Sequence, residues 1–348
     1  MTAPLWPDVI GRLVRREDLP DDLVEQAMSV ILSGEATDAQ IAGFAVALRA
    51  KGESSAELAT LVRTMLQFAE RVELDGDRPL LDTCGTGGDR AGTVNVSTMA
   101  ALVAAAAGAR VAKHGGRAAS SQCGSADVLE ALGVVIDLGP DGVARSVREV
   151  GMGFCFAQRF HSAMRFAAPV RRELGTPTTF NFLGPLANPA GATRRTVGVA
   201  DPAMAERVVA ALADLGAERA MVFYGHDGLD ELTITTTSTI HELHDGDIRV
   251  YDIDPTEFGI PLASHGALAG GDAAGNAEAV HKTFAGASGP IRDIVALNAA
   301  AALLVADLVP DFDHGIERAR ELLDDGAAAA TLEALVRVTV AARESGES

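Results

Sequence analysis

The densest chemistry in the chain lies in Asp82-Thr83-Cys84-Gly85-Thr86-Gly87-Gly88-Asp89, which precedes Asn95-Val96-Ser97-Thr98 and a helix expected to start near Met99. Three glycines let backbone N–H groups come close to a ligand. Ser97 or Thr98 as the helix N-cap would leave unpaired N–H donors pointing the same way, at the positive end of the helix dipole. Such a site suits phosphate or pyrophosphate. There is no GK[ST] as in a Walker A loop, and the glycine spacing is not GxGxxG, so neither nucleotide fingerprint applies. Taken alone, the segment also reads as a tight turn with no ligand.

A second group runs from Lys113-His114-Gly115-Gly116-Arg117 to Asp127. Lys113 and Arg117 sit among small and hydroxyl-bearing residues, which suits a second anionic group or a loop closing over one. The plainer reading is a solvated surface loop, with His114 an ordinary packed histidine. In the third group, His161, Arg165 and Arg172 are expected on one helix face, with Arg171 pointing elsewhere. An arginine here could grip a carboxylate with its planar fork. The fourth group is Gly225-His226-Asp227-Gly228-Leu229-Asp230-Glu231, after an apolar strand. Adjacent carboxylates at a strand end can serve Mg²⁺, which takes one or two of them together with waters and substrate phosphates. An acidic turn is the alternative. Asn181–Pro189 reads as a rigid turn that needs no chemistry.

The chain that carries these groups has 348 residues, 48% of them hydrophobic and 22% charged. This is globular usage with material for a sizeable core and about two domains at ~150 residues each. The formal charge is −19. So acidic a surface repels polyanions, which argues against nucleic-acid partners and anionic membranes. A small anionic substrate would need a local cationic pocket or a divalent metal. Cys84, Cys123 and Cys155 form neither a CxxC pair nor an even disulfide set, which fits a reducing cytoplasm. No leader-like or bilayer-length apolar stretch is visible.

Residues 1–75 read as a helical domain. Thr37-Asp38-Ala39-Gln40 and Ser54-Ser55-Ala56-Glu57 each match a capping box, with Gly52 between the two helices. Residues 76–348 read as an α/β domain in which short apolar runs alternate with helical stretches, implying a largely parallel central sheet flanked by helices. Some later helices are expected to return to the first domain. Strands are expected around residues 80–81, 110–112, 134–136, 195–199, 220–224, 232–236 and 248–251. Helices are expected near 290–306, 314–324 and 328–344.

In this order the motifs closely resemble the anthranilate phosphoribosyltransferase family, whose pattern is GTGGD, NVST, KHGNR, an SGSADVLEALG-like stretch, FHPAMR- and VRRELG-like segments, NxLGPLxNPA and DGLDE. Here these stand at Gly85–Asp89, Asn95–Thr98, Lys113–Arg117, Gly124–Gly133, Phe160–Arg165, Val170–Gly175, Asn181–Ala190 and Asp227–Glu231. The resemblance implies a homodimeric cytoplasmic enzyme with a helical and an α/β domain. It implies transfer of phosphoribose from 5-phosphoribosyl-1-pyrophosphate (PRPP) to anthranilate, releasing pyrophosphate, on the way to tryptophan.

Carried over position by position, the resemblance implies that Gly85, Gly88, Asp89, Thr93, Asn95, Val96, Ser97 and Thr98 hold PRPP. Lys113, His114, Gly115, Gly116, Arg117, Ala118, Ala119, Ser120 and Ser121 would form a closing loop, with Ser125 beside it. Asp230, Glu231 and Ser97 would serve Mg²⁺, with two ions per site. Arg171 would meet the acceptor carboxylate, and His114 and His161 would line the acceptor's path. Lys113, Asp89 and Arg171 are the expected catalytic groups. Two departures stand out. Gly116 replaces the family's Asn at the acceptor site, which keeps transfer to another small aromatic amine open as an alternative. Ser162 replaces the common Pro after His161. A non-catalytic binding relative is a remoter alternative, which predicts eroded motifs and a basic surface.

Overall fold

The computed structural model describes residues 5–76, 78–118 and 122–347. Four helices open the chain: α1 (Leu5–Val14), α2 (Asp21–Leu32), α3 (Asp38–Lys51) and α4 (Ser55–Gln67). Both expected capping boxes form. The Thr37 hydroxyl accepts from Gln40 N–H while Gln40 reaches back to Thr37 N–H, and Ser54 and Glu57 do the same. Gly52, with φ at +89°, turns the chain between α3 and α4. Glu57 is buried and also accepts from Leu19 N–H and from Lys51 Nζ, so one carboxylate ties three segments of the bundle.

The rest of the chain forms a seven-stranded sheet ordered β3-β2-β1-β4-β5-β6-β7. The first five strands are β1 (Leu81–Gly85), β2 (Val111–Gly115), β3 (Met152–Phe156), β4 (Arg194–Gly198) and β5 (Arg219–Gly225), and all pair in parallel. A hairpin of β6 (Ser238–His244) and β7 (Asp247–Ile253) adds two antiparallel strands at one edge. The central strands β2, β1 and β4 are buried on both faces, as parallel strands between helices must be. The expected mostly parallel sheet beside a small helical unit is what the chain builds.

Three details differ from the expectations. Residues 134–136 are not a strand; the third strand is β3, which starts after Gly151 ends α7 (Pro140–Val150) in a left-handed cap. Residues 232–236 form an irregular turn, because their backbone groups bond to side chains instead of a ladder. Residues 157–174 are not one helix: a short α8 (Ala157–Phe160), a 3-10 turn (Ser162–Phe166) and α9 (Ala168–Leu174) replace it. Pro169 in the first turn of α9 forces the new start.

On one face of the sheet, α5 (Val96–Ala106), α13 (Pro290–Val305), α14 (Phe312–Asp324) and α15 (Ala327–Glu344) build an apolar layer, with α6 (Ser125–Ala131) and α12 (Ala273–Phe284) at its rim. On the other face, α10 (Phe180–Leu186) and α11 (Ala205–Asp214) share a core with α1–α4. The strand order reverses at β1, which sends α5 and β2 to one side and has β4 on the other. Ligands bind open α/β sheets at such a switch point, outside the carboxyl ends of the strands. Gly85 ends β1 and Gly198 ends β4, and the two are in register. Among the described residues, no helix is long and apolar enough to cross a membrane.

Candidate active site

Two clefts open at this switch point. The first, of 280 Å³, is lined by Gly85–Asp89, Gly92–Thr98, Lys113–Ala118, Cys123–Ser125, Asp230 and Glu231. It therefore gathers Gly85, Gly88, Asp89, Thr93, Asn95, Val96, Ser97, Thr98, Lys113, His114, Gly115, Gly116, Arg117, Ala118 and Ser125 with the acidic pair. The second, of 490 Å³, holds His161 and Arg171 and shares Gly85, Thr86 and His114–Arg117 with the first. Ala119, Ser120 and Ser121 lie outside the described residues.

The floor depends on a close approach. A Cβ at Gly198 would overlap the carbonyl oxygen of Asp230, and one at Gly85 would run into Asp230 Oδ2. Bare backbone at both strand ends lets the 230–231 turn lie directly on the sheet. Asp230 Oδ2 then accepts from Gly87 N–H at 2.7 Å, and Glu231 Oε1 accepts from Ser97 N–H at 3.1 Å. Gly87, Gly88 and Gly92 all have positive φ and open space on the Cβ side, so the loop faces the cleft with main chain.

Helix α5 begins one turn earlier than expected. Asn95 is its N-cap residue, and Ser97 and Thr98 lie inside the first turn. The Asn95 side chain does not cap the helix. Its Nδ2 donates to the Cys123 carbonyl, and its Oδ1 accepts from Asn276 Nδ2 at 2.8 Å. At the helix start Val96 N–H bonds the Val94 carbonyl, and Ser97 N–H, left free by Asn95, is taken by Glu231.

Burial pushes the Asp230 carboxyl up to about 7, with the neighbouring Asp89 charge adding to it. Glu231 is pushed well above the usual carboxylate range, by burial first and then by Asp230. Asp89 also rises, mainly through burial. Lys113 is fully buried; its Nζ donates to the Thr83 carbonyl and, at 3.3 Å, to Ser97 Oγ. Burial lowers its pKa, while Asp82, Glu231 and Asp230 support its charge. Buried carboxylates that repel one another suit a hard cation. Among the described residues no group of three or more His, Cys, Asp or Glu side chains is arranged to hold a metal ion. The paired carboxylates of Asp230 and Glu231 fit a Mg²⁺ that completes its shell with waters and substrate oxygens.

The second cleft has a different character. Arg171 lines it with no ion-pair partner among the described residues, and burial lowers its pKa. His114 and His161 pack edge to face at 5.0 Å between ring centroids. His114 Nδ1 meets the Gly184 carbonyl and His161 Nε2 meets that of Ala187, both at 2.8 Å, so those nitrogens carry the protons. The remaining ring nitrogens have no partner among the described residues. Burial lowers His114 to about 4, and burial with the His114 neighbour lowers His161 to about 3, so both are neutral at pH 7. Arg165 and Ser162 line this cleft as well. At the shared wall, Arg117 is held by Asp127 and Glu130 at 2.9 Å and lies over the Phe156 ring.

Several residues that position this site carry no assigned role in the sequence reading. Asp82 is buried and accepts from His114 N–H and from Asn188 Nδ2, which also donates to the Ala112 carbonyl. The rigid turn expected over Asn181–Pro189 is instead α10 followed by a short turn, and Asn188 in that turn ties down the strand that carries Lys113 and His114. Gly198 and Gln158 were missed too. A Cβ at Gly116 would lie 3.4 Å from Gln158 Oε1, so that amide faces the space a side chain at 116 would enter. A buried Asp opening a glycine-rich loop was the available signal for Asp82; nothing in the linear sequence marks Gln158.

Models of two domains match the chain: a glycosyl transferase family helical bundle domain over residues 7–69 and a glycosyl transferase family α/β domain over residues 77–329. An anthranilate phosphoribosyltransferase of Nocardioides sp. is 56% identical over 339 residues, covering 96% of this chain and 98% of the relative. The chain belongs to the anthranilate phosphoribosyltransferase family. A crystal structure of the Thermus thermophilus family member superposes with a TM-score of 0.90 at 42% identity, covering 95% of this chain and 99% of the other. The Saccharomyces cerevisiae family member, solved in complex with PRPP and Mg, gives 0.89 at 26% identity over 98% and 99% of the two chains.

Two predictions come from this geometry. Gly198→Ala moves the Asp230 carbonyl off the sheet and should lower kcat by about 100-fold, as misplacements near 1 Å do. Circular dichroism should stay near native, and a fully active variant would show that the close approach does not matter. The histidine pair makes acid stability the second readout. Above the ordinary histidine value of 6.5, folded and unfolded chains both carry neutral rings. As pH falls below it, the unfolded chain takes up protons that the folded one refuses, until about 4 for His114 and about 3 for His161. Stability is therefore retained above pH 6.5 and lost on acidification, on the order of 3–5 kcal/mol per ring. Urea midpoints measured across this window should fall less steeply for His161→Gln than for the natural chain.

Proposed function

We propose that this chain transfers the phosphoribosyl group of PRPP to the amine of anthranilate, giving N-(5-phosphoribosyl)anthranilate and pyrophosphate in tryptophan biosynthesis. The observation that carries this reading is the pair of clefts with a common wall. One is built for a phosphorylated donor, and the other holds an arginine without a countercharge. The Nocardioides relative bears the name of this activity, and the yeast neighbour was solved in complex with PRPP and Mg.

The donor lies along main-chain N–H groups of the 85–92 loop and the start of α5, where partial positive charge faces its phosphates. Asp230 and Glu231 hold Mg²⁺, with Ser97 beside them and two ions per site. The chemistry a bound Mg²⁺ supplies is neutralisation of the pyrophosphate oxygens as the C1–O bond breaks. Lys113 adds a fixed positive charge beneath the cleft, already oriented by Thr83 and Ser97. Asp89, at the end of the glycine-rich loop, contacts the bound donor.

The acceptor enters the second cleft. Arg171 takes its carboxylate as the missing countercharge, which turns the ortho amine toward the shared wall. His114 and His161, neutral and packed against each other, present an apolar face to the ring and help exclude water. The amine is itself a nucleophile, so attack on C1 needs alignment more than a strong base. The enzyme works as a homodimer in the cytoplasm.

The direct test is loss of anthranilate fluorescence with PRPP and Mg²⁺, run beside substituted anthranilates and other aromatic amines. Preferred, PRPP-dependent consumption of anthranilate is expected; consumption of another amine instead would move the protein to a different pathway. Asp230→Ala combined with Glu231→Ala should abolish Mg²⁺-dependent turnover in a folded protein, and Mn²⁺ titration with pyrophosphate should count two ions per natural site. Arg171→Ala should raise the anthranilate KM by at least about tenfold, as loss of a charged bond worth ~1.5–3 kcal/mol implies, with little change in the PRPP KM. Equal effects on both would show that Arg171 does not read the carboxylate.

A further inference from the structure

The inner length of α13 is apolar and buried, and Asn298 is the one polar residue in Ile294–Val305. A primary amide in such surroundings costs free energy unless its donors and acceptor are met. Asn298 meets them largely by clamping a single residue. Its Oδ1 accepts from Leu232 N–H at 3.0 Å, and its Nδ2 donates to the Leu232 carbonyl at 2.8 Å and to the Ile294 carbonyl at 2.9 Å. Leu232 directly follows Glu231. It lies in the irregular stretch between β5 and β6, and among the described residues its backbone has no other hydrogen-bond partner.

The acidic pair is thus held from both sides. Asp230 is seated on Gly85 and Gly198, and Leu232 is fastened to α13. The same helix packs along α5, whose Ser97 N–H meets Glu231. One rigid element therefore sets the register of the carboxylates against the helix end that faces the donor.

We propose that Asn298 is a positioning residue for divalent-cation binding, acting through the Leu232 backbone to fix where Asp230 and Glu231 point; this rests on the reading of those carboxylates as the Mg²⁺ holders. Mg²⁺ demands near-ideal geometry, so a turn free to shift loses affinity even with both carboxylates intact.

The test measures direct binding of Mn²⁺, by electron paramagnetic resonance with pyrophosphate present, on the full chain and four variants. Asn298→Leu removes both bonds to Leu232 at similar volume. Asn298→Asp keeps the acceptor but sets an oxygen against the Leu232 carbonyl, and serves if the leucine variant does not fold. Thr339→Val is the stability control, since Thr339 is buried on α15 and bonds Val135 N–H away from the site. Glu231→Gln tests the metal assignment itself.

Both Asn298 variants should weaken Mn²⁺ binding by about 10–100-fold, the usual cost of losing a residue that orients a metal ligand. Thr339→Val should lower the melting temperature and leave Mn²⁺ binding unchanged, and the Asn298 variants should keep the anthranilate KM of the natural chain. If Glu231→Gln loses Mn²⁺ and the Asn298 variants do not, the positioning role is overturned and the metal reading stands. If Glu231→Gln binds as the natural chain does, the metal reading itself fails. A loss in Thr339→Val equal to that of Asn298→Leu would reduce the effect to general stability and overturn the proposal.

Discussion

The arrangement of this site depends on how closely the 230–231 turn lies against two strand ends. Gly85 and Gly198 face each other in register on β1 and β4, and neither has room for a side chain. With the turn seated there, the Asp230 carboxylate reaches Gly87 N–H in the glycine-rich loop, and Glu231 reaches Ser97 N–H at the head of α5. Bare strand ends let the turn come close enough for its two carboxylates to reach main-chain N–H groups 143 and 134 residues away in sequence. The cost is electrostatic, because carboxylates are concentrated where water is scarce. Lys113, buried just beneath, offsets only part of it.

A second layer keeps that floor from moving. Asp82, Asn188 and the backbone of His114 and Ala112 form a buried network linking β1, β2 and the turn after α10. Arg195 approaches Asp82 at 4.0 Å and donates to the Pro185 carbonyl at 2.7 Å. Apart from Arg195 Nε, which has no partner among the described residues, the network's polar groups are paired, and rearranging it would leave a charge or amide unpaired. The network lies under both clefts and aligns the donor floor with the histidine wall of the acceptor cleft. The cysteines beside it are kept inert: burial pushes the Cys84 and Cys155 thiols up, and no disulfide forms among the described residues.

Much of this was legible in the sequence, and the failures have physical causes. Capping boxes are local, so Thr37 and Ser54 could be read directly. Alternating apolar runs reported the parallel sheet because such strands are buried on both faces. The motif order pointed to the family, and the charge-bearing positions of the clefts were all within it. What escaped was set by tertiary contact. Val134–Ile136 has the composition of a strand but no neighbour to pair with, while Met152–Phe156 acquires one only once α7 ends at Gly151. Asn95 looks like a spacer before a Ser or Thr cap, yet it becomes the cap residue because Cys123 and Asn276 hold its side chain. Gly198 matters for what lies above it, which spacing along the chain does not reveal.

The shared wall has an evolutionary consequence. Residues 85–86 and 114–117 border both clefts, so on the proposed reading a change there would alter donor and acceptor handling together. Gln158, Ser162 and Arg165 border only the acceptor cleft. Variation at those positions can retune which aromatic amine is accepted while the phosphoribosyl chemistry is inherited intact. A lineage can therefore explore new acceptors from one half of the site without first losing the reaction.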